Sequence, residues 1–102
     1  MDHPAGPIDD IRAKGAVSVT LGTWQVMVAV LGTDVVAVED RCTHQDTPLC
    51  GGRIRNGRVA CPRHGAMFDL RTGKSFAPIA PRPLTVFPAR IDGETVIVTL
   101  PD

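Results

Sequence analysis

Cys42-Thr43-His44, separated by sixteen residues from Cys61-Pro62-Arg63-His64, is the stretch on which the reading of this chain turns. Each end offers one thiolate and one imidazole, the side chains that suit borderline and soft transition metals. Between them, Asn56-Gly57 stands between Arg53-Ile54-Arg55 and Arg58-Val59-Ala60. Asn-Gly is the strongest short hairpin signal, because a type I′ turn needs positive φ at both central residues. A hairpin there folds the chain back and sets the two Cys/His loops side by side. Cys42, His44, Cys61 and His64 are therefore the candidate metal ligands.

Four ligands can hold one zinc ion, which would make the chain a zinc-binding interaction module. Structural zinc loops usually place paired ligands two to four residues apart and aim both at one ion. Only one residue separates Cys42 from His44, so convergence of both on one small ion is awkward. Two metal atoms close together remove the difficulty, since each loop gives its Cys to one and its His to the other. The residues alone favour the second arrangement and leave the zinc reading standing beside it.

The two loops resemble the C-x-H…C-x-x-H signature of Rieske iron–sulfur proteins. Gly65-Ala66-Met67-Phe68-Asp69-Leu70-Arg71-Thr72-Gly73 is similar to the strand and turn that follow the second loop in that family. The resemblance runs from about Val26 to Val98. It implies one 2Fe–2S cluster with Cys42 and Cys61 on one iron and His44 and His64 on the other. It implies stacked antiparallel sheets with a cluster-binding hairpin subdomain, and a proline loop over the cluster that residues 78–83 match. High-potential members carry an extra Cys in each loop, joined as a disulfide. The corresponding residues here are Thr47 and Arg63, so that bridge is absent. Those members also donate hydrogen bonds from a Ser and a Tyr at positions that hold Ala66 and Phe68 here. Fewer donors stabilise an added electron less, which points to the low-potential ferredoxin branch.

A chain of 102 residues suffices for one modest core, built mainly from Val, Ile, Leu and Ala because Phe, Trp and Tyr number three, one and none. No apolar run is long enough to span a membrane, and the first residues show neither a basic nor an apolar signal region. Three cysteines, two of them committed as ligands, do not make a disulfide scaffold, so a reducing cytoplasm is expected. Cys50 is expected as a small buried apolar residue beneath the first loop, with a redox-sensing thiol as the alternative. Charge is uneven: residues 1–40 sum to −4, residues 41–90 to +7 and the last twelve to −3. The metal-binding half is thus the basic half. Solvated arginines explain this equally with a docking face for an acidic partner, formed by Arg63, Arg41 and Arg82.

Along the chain, residues 1–15 read as an arm or irregular lead-in, with His3 as a tail residue. Ala16 to Leu21 alternates as a half-buried strand. Trp24 to Leu31 and Val35 to Glu39 flank a turn at Gly32-Thr33-Asp34, and the nearly continuous apolar run Val35-Val36-Ala37-Val38 suits a strand covered on both faces. Ala66 to Leu70 is a short strand, Pro78 to Pro83 is excluded from helix and central strand, and Leu84 to Ile91 and Thr95 to Leu100 flank a turn at Asp92-Gly93. The expected fold is all-β, a small sandwich or barrel in a single domain over 1–102. Its cluster-binding part spans about 40–83 and its basal sheets come from about 16–39 and 84–100.

The residues left over bound the function. After the four ligands only His3 remains, too little for the two-His-one-carboxylate iron of an oxygenase. There is no glycine-rich nucleotide motif, no Ser/His/Asp set, and no aromatic platform for nucleic acid beside the bases. The expectation is an electron carrier and not an enzyme. The resemblance implies a ferredoxin that takes single electrons from a flavin reductase and passes them to a terminal Rieske oxygenase. A small Rieske subunit of another reductase, such as nitrite reductase, is the alternative within the family.

Overall fold

The computed structural model describes residues 1–42, 47–62, 65–76 and 82–101. Ten strands and one short helix follow in order: β1 (Asp2–Pro7), α1 (Ile8–Lys14), β2 (Ala16–Leu21), β3 (Trp24–Leu31), β4 (Asp34–Glu39), β5 (Ile54–Arg55), β6 (Arg58–Ala60), β7 (Met67–Asp69), β8 (Val86–Phe87), β9 (Ala89–Asp92) and β10 (Thr95–Thr99). All strand pairs are antiparallel. They form three sheets, ordered β1-β10-β9, β2-β3-β4-β8 and β5-β6-β7.

The four-stranded sheet is the middle layer. Along β3, Val26 and Val28 join one core, while Met27 and Ala29 join another. Along β4, Ala37 faces the first core and Val36 and Val38 the second. Successive side chains of a strand point to opposite faces, so an unbroken apolar run feeds two cores at once. The first core adds Val96 and Val98 of β10 with Leu21, Phe87 and Leu100. There the Trp24 and Phe87 rings meet edge-on at 5.1 Å. The second core adds Val59 and Phe68 of the small sheet, with Leu49, Leu70, Leu84 and two cysteines, Cys42 and Cys61.

The lead-in expected to be irregular is ordered and belongs to the first core. Asp2–Pro7 pairs with β10 as an edge strand, with a bulge between Pro4 and Gly6. An edge tolerates the two prolines that blurred the strand pattern. His3 therefore lies within a strand, opposite Val98, and not in a tail. Ile8 and Ile11 are the buried residues of α1, Asp9 and Asp10 stand in its first turn, and Arg12 and Lys14 in its last. That charge order suits the helix dipole. Seven residues with two apolar anchors are too few to display a helical period in sequence. Gly15 ends the helix with its N–H on the Ile11 carbonyl at 2.8 Å.

The turns follow local chemistry. Asn56, at φ 54°, and Gly57, at φ 76°, form the tight link between β5 and β6. The strand expected from Leu84 to Ile91 is instead two, β8 in the middle sheet and β9 in the outer one, divided at Pro88. Proline has no N–H for a ladder, so it marks the point where the chain changes sheets. The final turn is Gly93-Glu94, one residue later than expected, since Asp92 pairs with Thr95.

Ile11, 2% exposed, measures how far the N-terminal segment shares in the fold. Ile11→Ala should lower unfolding stability by about 2–5 kcal/mol in urea titration, as for a core residue. An arm would lose less than about 0.5 kcal/mol.

Candidate metal centre

Two loops leave strand ends in the same manner. Cys42 follows β4, and its N–H donates to the Thr47 carbonyl at 2.8 Å. Cys61 follows β6, and its N–H donates to the Ala66 carbonyl at 2.7 Å. In both, a cysteine closes a loop onto the residue five positions further on. The Cys61 carbonyl also accepts the Gly65 N–H at 2.9 Å. Cys42 is fully buried and Cys61 is 2% exposed, both in the second core. Neither forms a disulfide. The structure thus gathers the two predicted thiol ligands. The predicted imidazole ligands, His44 and His64, lie outside the described residues, as do Arg63 and most of the proline loop. Among the described residues, no three His, Cys, Asp or Glu side chains gather as a metal site.

The surroundings of the two thiols are apolar. Leu49, Val59, Phe68, Leu70 and Leu84 share their cluster, and Ala66, 2% exposed, lies in it beside Cys61. Ala66 and Phe68 bring no hydroxyl into this cluster. Cys50 packs against it half-buried, close to the expected role. Burial, and then the Asp40 charge, push its thiol above the ordinary range. Cys50 is thus a small, half-buried side chain at the edge of this cluster.

Around this apolar site runs a polar frame that shows in the sequence only as charge. Glu39 and Asp40, at the end of β4, are both buried, at 7% and 6% exposure. Glu39 Oε1 accepts the Thr85 N–H at 2.9 Å, and the Thr85 carbonyl accepts the Glu39 N–H at 2.9 Å. Its other oxygen lies 3.3 Å from Arg41 Nη2. Asp40 Oδ1 accepts the N–H groups of Leu49 at 2.7 Å and Cys50 at 2.8 Å, and Oδ2 accepts the Ser18 hydroxyl. One acid thus holds the chain beyond the proline loop, and its neighbour holds the chain beyond the first metal loop. The available signal was an acidic pair closing the apolar run Val35 to Val38.

The two loops are also pressed together by backbone. Gly52 donates to the Leu49 carbonyl at 2.9 Å and lies against Ala60, where a Cβ would come within 2.0 Å of the carbonyl oxygen. Only glycine fits that approach. The base of the proline loop is closed by the Leu84 N–H on the Gly73 carbonyl at 2.8 Å.

Basic side chains crowd the small sheet. Arg53, Arg55 and Arg58 are exposed, and Arg58 stacks over the Phe76 ring at 4.1 Å with Lys74 at 5.4 Å. The Arg53 carbonyl accepts the Ala60 N–H at 2.9 Å, one residue before Cys61. Of the three arginines expected to form a docking face, Arg41 is exposed but engaged by Glu39, Arg82 is exposed, and Arg63 lies outside the described residues.

Comparison with known proteins covers most of the chain. The family model described as Rieske [2Fe-2S] domain matches residues 2–88. The anthranilate 1,2-dioxygenase ferredoxin subunit of Burkholderia cepacia is 34% identical over 97 residues, covering 93% of this chain and 89% of that protein. The ferredoxin of carbazole 1,9a-dioxygenase from Nocardioides aromaticivorans IC177 superposes with a TM-score of 0.85 at 25% identity, over 93% of this chain and 95% of that one. A chain in the complex of reduced oxygenase and oxidized ferredoxin of carbazole 1,9a-dioxygenase gives a TM-score of 0.87 at 26% identity, over 95% and 91%.

The Gly52 contact can be tested independently of any metal. Gly52→Ala should destabilise the protein by about 1–3 kcal/mol in urea titration, because a backbone oxygen cannot move aside as a side chain can. A loss near zero would show that the two loops are not held at this spacing.

Proposed function

The chain belongs to the Rieske [2Fe-2S] domain family, and from that premise we propose that it is the ferredoxin of a multicomponent oxygenase, carrying single electrons from a flavin-dependent reductase to a terminal Rieske oxygenase. The observation that carries this reading is the pair of buried, unbridged cysteines at the ends of twin loops. They stand in a chain whose relatives named ferredoxin subunits match it nearly end to end. The donor set fits the family's group, since Cys42 and Cys61 share one buried cluster without a disulfide and cysteine sulfur is the ligand that iron–sulfur clusters take. Cys42 and Cys61 would hold one iron and His44 and His64 the other. When bound, the cluster supplies one-electron chemistry.

The chain's own residues set the conditions for that chemistry. The closed loops hold the thiolates in place, and the apolar cluster behind them excludes water. Two neutral imidazoles in place of two thiolates make an added electron easier to accept than in an all-Cys site. Ala66 and Phe68 add no hydroxyl donors, which holds the potential in the lower part of the family span of about −150 to +300 mV. The three free cysteines suit a reducing cytoplasm. No helix among the described residues is long and apolar enough to cross a membrane.

Metal analysis and ligand variants test the assignment. The protein should contain about two irons and two acid-labile sulfides per chain, as a 2Fe–2S cluster requires. Cys42→Ser and Cys61→Ser should lose the visible spectrum, while Cys50→Ser keeps it. Zinc in place of iron would end the reading.

Delivery to the oxygenase should depend on the basic small sheet. Electron-transfer encounters are brief, and charge acts on them mainly through encounter rate. Arg53 is the exposed base whose backbone adjoins the residue before Cys61. Arg53→Glu should slow stopped-flow electron transfer to an oxygenase with an acidic docking face by roughly two- to tenfold at low salt. The difference should shrink as salt shortens the Debye length to about 8 Å and below. Equal rates across the salt series would remove this surface from the docking site.

A further inference from the structure

We propose that Asp40 is a positioning residue of the metal centre: its buried carboxylate clamps the chain returning from the first metal loop and so sets where Cys42 stands relative to Cys61. The proposal rests on the reading of those two cysteines as ligands. Asp40 follows β4 directly and precedes Cys42 by two residues. Its own N–H is fixed to the Gln25 carbonyl at 2.8 Å, so the middle sheet anchors it. From that anchor Oδ1 takes the amides of Leu49 and Cys50, and the Ser18 hydroxyl of β2 holds Oδ2 from the other side.

A carboxylate is costly to bury and is retained where its hydrogen-bonding capacity is filled. Here two backbone amides and a hydroxyl fill it, which places the acid in the architecture of the loop and not in surface charge. The clamp then reaches the second loop through backbone alone. Leu49, held by Asp40, accepts the Gly52 N–H. Gly52 abuts the Ala60 carbonyl too closely for any side chain. Ala60 precedes Cys61. Hydrogen bonds and one close backbone approach therefore join the residue two before one cysteine to the residue one before the other.

The test compares holoprotein variants. Asn at position 40 can still accept both amides through its side-chain oxygen and donate to Ser18, whereas Ala can do neither. Val98→Ala, in the other core, provides a destabilised control remote from the loops. The readout is the rate of visible-absorption loss to an iron chelator, well below each variant's melting temperature. Asp40→Ala should lose the cluster about tenfold faster than wild type, as removal of a residue supporting a metal ligand does, with Asp40→Asn within about twofold and Val98→Ala unchanged. Ser18→Ala, which leaves both amide bonds in place, should fall between and serves if Asp40→Ala does not fold.

Amide hydrogen exchange at Leu49 and Cys50 reads the clamp without reference to iron. It should accelerate in Asp40→Ala and stay slow in Asp40→Asn. Asp40→Ala losing iron no faster than Val98→Ala would overturn the proposal. So would Asp40→Asn behaving like Asp40→Ala, which would assign the effect to charge. Failure of the ligand reading looks different: the wild type would lack iron, while the exchange pattern would still report the clamp.

Discussion

Burial of one sheet on both faces is the constraint from which the rest of this structure follows. β3 and β4 place alternate side chains in two separate cores, and neither strand has a face to give to water. A sheet in that position must be covered twice, and the chain is short. The outer sheet is assembled from the two ends of the chain, β1 with β9 and β10, while the small sheet comes from its middle. The N-terminal strand and helix are thereby drawn into the fold, because Ile8 and Ile11 complete the cover over Val26 and Val28. Each buried aliphatic of this kind contributes about 1.5–3 kcal/mol.

The second core does two jobs with one set of side chains. It joins the small sheet to the middle one, and it forms the apolar wall against which Cys42 and Cys61 are packed. A metal site that shares its wall with the core takes on the rigidity of the core, since close-packed interiors do not deform continuously. Polar work is kept at the margin of that wall. Glu39 and Asp40 stand where the central strand runs out of apolar partners, and their carboxylates take up backbone amides that the loops leave over. Buried amides without partners would each cost a lost hydrogen bond and its desolvation. Adjacent acids therefore tie both loop exits to one strand end.

The distribution of charge follows the same geometry. Basic residues concentrate on the small sheet because its outer face looks to solvent, away from the shared core. Arg58 and Lys74 cover part of the Phe76 ring, which reduces the apolar surface exposed beside the proline loop. Other ion pairs lie elsewhere, between Arg71 and Asp34 and between Arg90 and Asp2. These link neighbouring elements at exposed positions, where such pairs contribute little to stability.

By itself the sequence determined what depends on neighbours in the chain. Asn56-Gly57 dictates a tight turn because both residues tolerate positive φ, and the run Val35 to Val38 announces a strand covered on both sides. The spacing of Cys42, His44, Cys61 and His64 carries the chemistry of the site, since ligand type and order limit which metal group can be held. Only the tertiary structure decided the rest. Residues 1–7 have no strand pattern of their own, and their pairing exists because β10, at the opposite end of the chain, offers an edge. Pro88 divides one apolar stretch between two sheets, a division that no local period records. Asp40 reads in sequence as one acid among eleven. Its role arises from a carboxylate placed where Ser18, Leu49 and Cys50 converge, and long-range hydrogen bonds of that kind leave no periodic trace along the chain.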